Sequence, residues 1–132
     1  MQHLKFITAS CLSILLIVCA MISPLEMFAQ TTTTPLTEDQ KIEALIVGVE
    51  KATNIQFYRN GSYYDAATAA SHLRLKRRKA GSAVKTAADF IDKLATKSSV
   101  TGEIYKIKYT NGQEIPAKDY FYARLKTLNT NK

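Results

Sequence analysis

Residues 103–129 read EIYKIKYTNGQEIPAKDYFYARLKTLN, and this stretch decides the fold class because it joins a strand, a turn and a helix. Apolar and aromatic residues alternate with lysines over 104–109, which predicts a strand with one buried face. Asn111-Gly112 supplies the positive φ of a tight turn, so two or three residues can pair back before Pro116. Proline is tolerated in the first turn of a helix, and apolar residues at helical spacing continue to about 129.

A helix and a strand are predicted near the start of the domain. Thr37 and Gln40 form a capping box ahead of apolar residues that share one face, so a helix is expected over about 37–52. Residues 55–59 are β-branched and aromatic, and the Asn60-Gly61 pair after them is typical of a tight turn. This segment is therefore predicted to be the first strand.

Two further helices are predicted between the strands. Asp65 can cap a helix over about 65–79. Thr86 and Asp89 form a second capping box, which begins a helix expected to end near Lys97. The resulting order, α-β-α-α-β-(β)-α, predicts an α+β domain in which about four helices pack on a small two- or three-stranded antiparallel sheet.

The N-terminal segment is predicted to be an export signal. Lys5 precedes an apolar run from Phe6 to Ile22, and a small residue precedes the expected cut. We therefore expect residues 1–29 to be a cleaved signal peptide, residues 30–36 a disordered threonine-rich spacer, and residues 37–129 one small domain. A retained membrane anchor is the alternative, although hydroxyl side chains interrupt the apolar run.

Export would remove most of the residues capable of metal or thiol chemistry. Cys11, Cys19 and His3 all lie in the predicted signal. We therefore expect no disulfide, no metal site, no cofactor and no membrane-spanning segment in the mature chain.

Charge and location together predict the kind of partner. The net charge of +7 survives cleavage, because the predicted signal carries one acid and one base, Glu26 and Lys5. A basic protein in the periplasm or outside the cell would meet an anionic envelope polymer, a lipid headgroup or a protein partner. Nucleic acid is a less suitable partner in that location.

Six residues are candidates for a binding surface because they combine positive charge, hydrogen-bond donors and an aromatic ring. They are Arg59, Asn60, His72, Arg74, Lys76 and Tyr105. An arginine beside an exposed Asn-Gly turn suits a carboxylate or a phosphate, although a solvated arginine is the structural alternative. His72 lies one helical turn before Lys76, so it is a candidate anion ligand or general base. A boundary histidine bonded to a backbone carbonyl is the structural alternative there.

A basic run, RLKRRK at 74–79, places five cations at the C-terminal end of the second predicted helix. The helix dipole favours positive charge at that end. The run is interpreted either as a solvated helix end or as a contact for an anionic partner.

Four segments carry a resemblance to a known family. They are FYRNG at 57–61, ASHLRxK at 70–76, TAADFI at 86–91 and SSxTGxxY at 98–105. In these segments the chain resembles the YfeK-like small exported bacterial proteins of unknown function, and the similarity covers about residues 38–128. The resemblance implies a periplasmic or exported location, and it implies no activity, cofactor or catalytic residue. The basic residues 77–79 depart from the family pattern.

The function predicted from these features is non-catalytic binding of an anionic envelope component. The basic charge and the lack of a complete catalytic set favour it. A small hydrolase or transferase is the first alternative, with His72 as general base and Ser99 or Tyr105 nearby. A structural partner protein of an envelope complex is the second alternative.

Overall fold

The computed structural model describes residues 34–130, which form four helices and four strands. In chain order these elements are α1 (Glu38–Glu50), β1 (Ile55–Arg59), β2 (Ser62–Tyr64), α2 (Ala66–Ala80), α3 (Ala87–Phe90, followed directly by a π-helical turn, Ile91–Ala95), β3 (Lys106–Tyr109), β4 (Glu114–Pro116) and α4 (Ala117–Thr130). The predicted signal peptide and residues 30–33 of the predicted spacer lie outside the described residues, and 34–36 have no regular secondary structure. Between residues 34 and 130, no helix is long and apolar enough to cross a membrane.

The helices begin at the predicted capping residues. The Thr37 hydroxyl accepts from the N–H of Gln40 at 3.2 Å, and the Gln40 side chain accepts from the N–H of Thr37 at 2.9 Å. Thr86 and Asp89 form the same capping box for α3. Asp65 caps α2 by accepting from the N–H three residues on, at 2.7 Å. The predicted starts of α1, α2 and α3 are therefore confirmed, because each cap satisfies N–H groups that the helix itself leaves free. Pro116, expected in the first turn of the last helix, is instead the final residue of β4, and α4 begins at Ala117.

The last turn of the third predicted helix is wider than expected. The helix ends at Ala95, near the predicted Lys97, but Ile91–Ala95 form a π-helical turn in place of a regular α-helical one. The hydroxyl of Thr96 donates to the carbonyl of Ile91 at 2.7 Å. Such a side-chain bond competes with the regular helical bonds of the backbone. The last carbonyls of this helix must therefore find donors elsewhere in the fold.

The sheet has four antiparallel strands in the order β2-β1-β3-β4, one more than the largest number predicted. Phe57 pairs with Ile107, which pairs with Ile115. Both residues of the Asn60-Gly61 turn have positive φ, 48° and 83°, so the chain folds back and β2 pairs with β1. Two residues of β2 are exposed and one is partly buried. The strand therefore lacks the alternation of apolar and polar residues from which a strand is predicted.

The helices cover one face of the sheet, and the opposite face is largely open to solvent. The core between helices and sheet consists mainly of aliphatic and phenylalanine side chains, and its fully buried members include Ile42, Leu45, Ile46, Val49, Phe57, Leu73, Phe90, Ile91, Ile107 and Phe121. Each such side chain contributes about 1.5–3 kcal/mol when it leaves water. On the open face lie Gln56, Tyr63, Lys106 and Glu114. The predicted α+β class is therefore confirmed.

Candidate functional site

The basic run on α2 divides between two faces of the helix. Arg74 donates to Glu50 at 2.8 Å and to Glu43 at 3.0 Å, and both acids lie on α1. Arg77 pairs with Asp39, also on α1, at 2.7 Å. The bond from Arg74 lowers the pKa of the Glu50 carboxyl. Arg74 therefore joins α2 to α1 and does not lie with the other candidate residues.

Lys76 extends from α2 towards the end of the helix that begins with α3. Its Nζ donates to the carbonyls of Leu94 and Lys97 at 2.6 and 3.1 Å, and it lies 3.3 Å from the Tyr105 hydroxyl. These carbonyls lie at the C-terminal end of that helix, where a cation is favoured. Burial, and then the nearby Arg59 charge, lower the pKa of Lys76 to about 8.

His72 lies one turn before Lys76 on the same face of α2. Its ring meets the Tyr105 ring edge-on, with 6.5 Å between the ring centroids. Burial lowers the pKa of His72 to about 4, with smaller contributions from the charges of Arg59, Lys76 and Lys79. The ring is therefore neutral at pH 7. Its Nε2 atom is buried and has no hydrogen-bond partner within residues 34–130.

Arg59 completes the group from the end of β1. It shares the helix-covered face of the sheet with Phe57, because side chains two apart in a strand point the same way. Its guanidinium carbon lies 5.9 Å from the centre of the Tyr64 ring, and its buried Nε has no partner in the described part of the chain. Burial raises the pKa of the Tyr105 phenol, whereas the neighbouring Arg59 and Ser98 side chains oppose that rise.

The loop that follows α3 and its π turn brings Ser98 into the group. Ser98 is 3% exposed, and its hydroxyl accepts from the N–H groups of Val100 and Thr101, both at 3.2 Å. Asn60 accepts from the Thr101 hydroxyl at 2.8 Å, so it ties the β1-β2 turn to this loop. Ser99, the serine of the hydrolase alternative, is exposed. Ser98 was considered with it as a nucleophile and is not among the six predicted binding residues, although the SSxTG segment contains it.

We name Arg59, His72, Lys76, Ser98 and Tyr105 the Tyr105 cluster. The cluster unites four of the six predicted binding residues, and three of the four segments that carry the family resemblance supply its members. Within residues 34–130, neither of its two cations forms a salt bridge. Uncompensated positive charge at a partly buried position is costly unless an anion can approach.

The protonation states of the cluster suit hydrogen-bond donation. The lowered pKa of His72 keeps its ring neutral at pH 7, and the raised pKa of Tyr105 keeps its phenol protonated. With a pKa of about 8, Lys76 is mostly charged at that pH. The cluster therefore presents N–H and O–H donors and positive charge. Among the described residues, no group of three His, Cys, Asp or Glu side chains is placed to hold a metal ion.

Comparison with known proteins places the chain in a family. The model of the Family of unknown function (DUF5329) matches residues 36–129. The chain is also 35% identical over 89 residues to the uncharacterized protein YfeK of Salmonella typhimurium, a match that covers 67% of this chain and 74% of that protein. No solved structure matches the chain. The YfeK-like resemblance is thereby confirmed, and the chain belongs to the family of unknown function DUF5329.

Proposed function

We propose that this protein is a non-catalytic binding module whose Tyr105 cluster recognises an anionic group. The proposal rests on two buried nitrogens, Arg59 Nε and His72 Nε2, which have no hydrogen-bond partner within residues 34–130. Leaving a buried polar group unsatisfied costs about 1–3 kcal/mol. An oxyanion that accepted from either nitrogen would remove that nitrogen's share of the cost.

The members of the cluster would contribute in different ways. Arg59 would donate through Nε–H, and His72 would donate in the tautomer that carries its proton on Nε2. The ammonium of Lys76 already contacts two carbonyls and the Tyr105 hydroxyl, so it would act mainly through its charge. Lys79 is exposed and close enough to lower the pKa of His72, so it would attract an anion towards the cluster.

We further propose that the anion belongs to the bacterial envelope. The apolar run near the N-terminus, interpreted as an export signal, supports a periplasmic or secreted location. The net charge of +7 supports attraction to anionic surfaces. Phosphate groups are the shared chemistry of anionic lipid headgroups and of lipopolysaccharide, and they are the group we expect the cluster to bind.

Binding to defined anionic surfaces tests this proposal. The purified protein is mixed at low salt with phosphatidylglycerol vesicles, phosphatidylcholine vesicles or lipopolysaccharide, and the bound fraction is measured by sedimentation. We expect binding to one or both anionic surfaces and none to phosphatidylcholine. Added salt should weaken the binding, because it screens exposed charges. Absence of binding to both anionic surfaces would refute the proposal.

Two charge-matched variants separate the cluster from general surface charge. Arg59→Gln removes a cluster donor, whereas Arg78→Gln removes an exposed cation from the end of α2. We expect Arg59→Gln to weaken binding by about tenfold or more, the effect of losing one charge-assisted hydrogen bond. Arg78→Gln should have a much smaller effect. Equal losses in the two variants would mean that diffuse charge, and not the cluster, holds the surface.

The enzymatic alternative has less support from the geometry. A general base works best with a pKa near the operating pH, and the pKa of His72 is about 4. The Ser98 hydroxyl accepts from two backbone N–H groups, which do not activate it as a nucleophile. The alternative of a structural partner protein would draw on exposed apolar residues such as Val100, which is 91% exposed.

A further inference from the structure

A groove that runs along α4, beside α1 and strands β3 and β4, shares no residue with the Tyr105 cluster. It consists of three adjoining cavities of about 590, 500 and 210 Å³, and Arg124 lines all three. The largest cavity is also lined by Lys51, Tyr109 and Tyr120. Ligand pockets commonly have volumes of about 300–1,000 Å³, so this cavity has room for a small organic molecule.

Arg124 is held across the groove by two features of its surroundings. Its Nη1 donates to the Tyr120 hydroxyl at 3.1 Å, and its guanidinium carbon lies 5.4 Å from the centre of the Tyr120 ring. On the opposite side, Gly48 of α1 leaves the necessary space, because a Cβ atom there would lie 2.6 Å from Nη2 of Arg124. Glycine inside a helix lowers stability relative to alanine. The position of the guanidinium thus depends on a residue that the helix alone would not favour.

The charges around the largest cavity would attract an anion. Lys51 and Arg124 line it, and it has no acidic lining residue. Asp119 lines the second cavity instead. Within residues 34–130, Arg124 forms no salt bridge with a carboxylate, and its hydrogen-bond partner is a phenol. A planar guanidinium can hold a carboxylate through two parallel hydrogen bonds.

We propose that this groove binds an organic carboxylate that carries an aromatic or aliphatic body. The carboxylate pairs with Arg124, and the body lies in the largest cavity beside Tyr109 and the apolar side chains of Val47 and Ala52. A cavity of about 590 Å³ is much larger than an inorganic ion, so the body supplies the remaining contacts. The inference is independent of the proposed function, because it concerns different residues and a different ligand.

An NMR titration with a matched pair of probes tests the inference. N-acetyl-L-phenylalanine carries the carboxylate and an aromatic body, and N-acetyl-L-phenylalaninamide keeps the body without the charge. We expect the first probe to shift the backbone signal of Gly48 and the guanidinium signal of Arg124, with a Kd on the order of 1 mM for a ligand of this size. The amide should bind at least about tenfold more weakly.

Three variants identify the role of the guanidinium. Arg124→Gln should weaken binding of the carboxylate probe about tenfold or more, whereas Lys126→Gln, the same charge change on an exposed residue of α4, should leave it unchanged. Gly48→Ala keeps the arginine but displaces its guanidinium, so it should also weaken binding. Thermal unfolding of each variant checks that the fold is intact. The inference is wrong if neither probe binds below about 20 mM, if both bind equally, or if Lys126→Gln matches Arg124→Gln.

Discussion

Replacing His72 with glutamine should remove a pH-dependent loss of stability. Burial and three nearby cations lower the pKa of His72 from 6.5 to about 4, so the unfolded chain binds more protons than the folded chain between these values. The stability contributed by the neutral ring is complete above pH 6.5 and is lost as the pH falls towards 4. At pH 5 this loss of stability is about 2 kcal/mol if solvent screening is ignored. Because the His72 ring is partly exposed, screening by solvent reduces the expected loss to about 1 kcal/mol.

The assay is urea denaturation of the parent chain and of His72→Gln at pH 7 and pH 5. The free energy of unfolding of the parent should fall by about 1 kcal/mol more than that of the variant between these two values. Carboxyl groups are common to both chains, so their effects cancel in the comparison. NMR titration of the imidazole checks the cause, and a His72 pKa near 6.5 would refute the reasoning. Bound phosphate should raise that pKa, because an anion favours the charged ring.

Three substitutions test other contacts by urea denaturation. Lys76→Met should lower the free energy of unfolding by about 1–3 kcal/mol, because the carbonyls of Leu94 and Lys97 lose their donor; an unchanged value would mean that water replaces the ammonium. Gly48→Ala should raise the free energy of unfolding by about 0.5–1 kcal/mol, because alanine favours the helix and the flexible end of the Arg124 side chain can move away from the new Cβ atom. Destabilisation would mean that the Arg124 side chain cannot move. Asp65→Ala should lower it by about 1 kcal/mol through loss of the α2 cap, whereas no change would show that the cap is dispensable.

Local signals predicted the fold because the elements of this chain begin and end at residues with strong local preferences. The capping pairs that begin at Thr37 and Thr86 position α1 and α3. Both residues of the Asn60-Gly61 turn adopt the positive φ that such a pair allows. β2 could not be predicted in the same way, since it is held by pairing to β1 and not by an apolar pattern of its own.

The candidate site was predictable only in part, because its members meet through tertiary contacts. The helical spacing of His72 and Lys76 is sufficient by itself to place both residues on one face of α2. Arg59 and Tyr105 join them because β1 pairs with β3 and α2 packs over the sheet. Ser98 reaches the cluster through the conformation of the loop after the π turn. That conformation could not be predicted, because the loop sequence has no periodic pattern of apolar residues.

The two faces of α2 explain why the count of basic residues is a poor guide to a binding surface in this chain. At 3.6 residues per turn, positions 72, 76 and 79 lie within about 60° of one another, whereas positions 74 and 77 point elsewhere. Acids on α1 neutralise the side chains at 74 and 77, and no salt bridge within residues 34–130 neutralises those at 76 and 79. An anion would therefore meet two cations without an acidic partner, Lys76 and Lys79, on the face of α2 that the helix shares with Arg59.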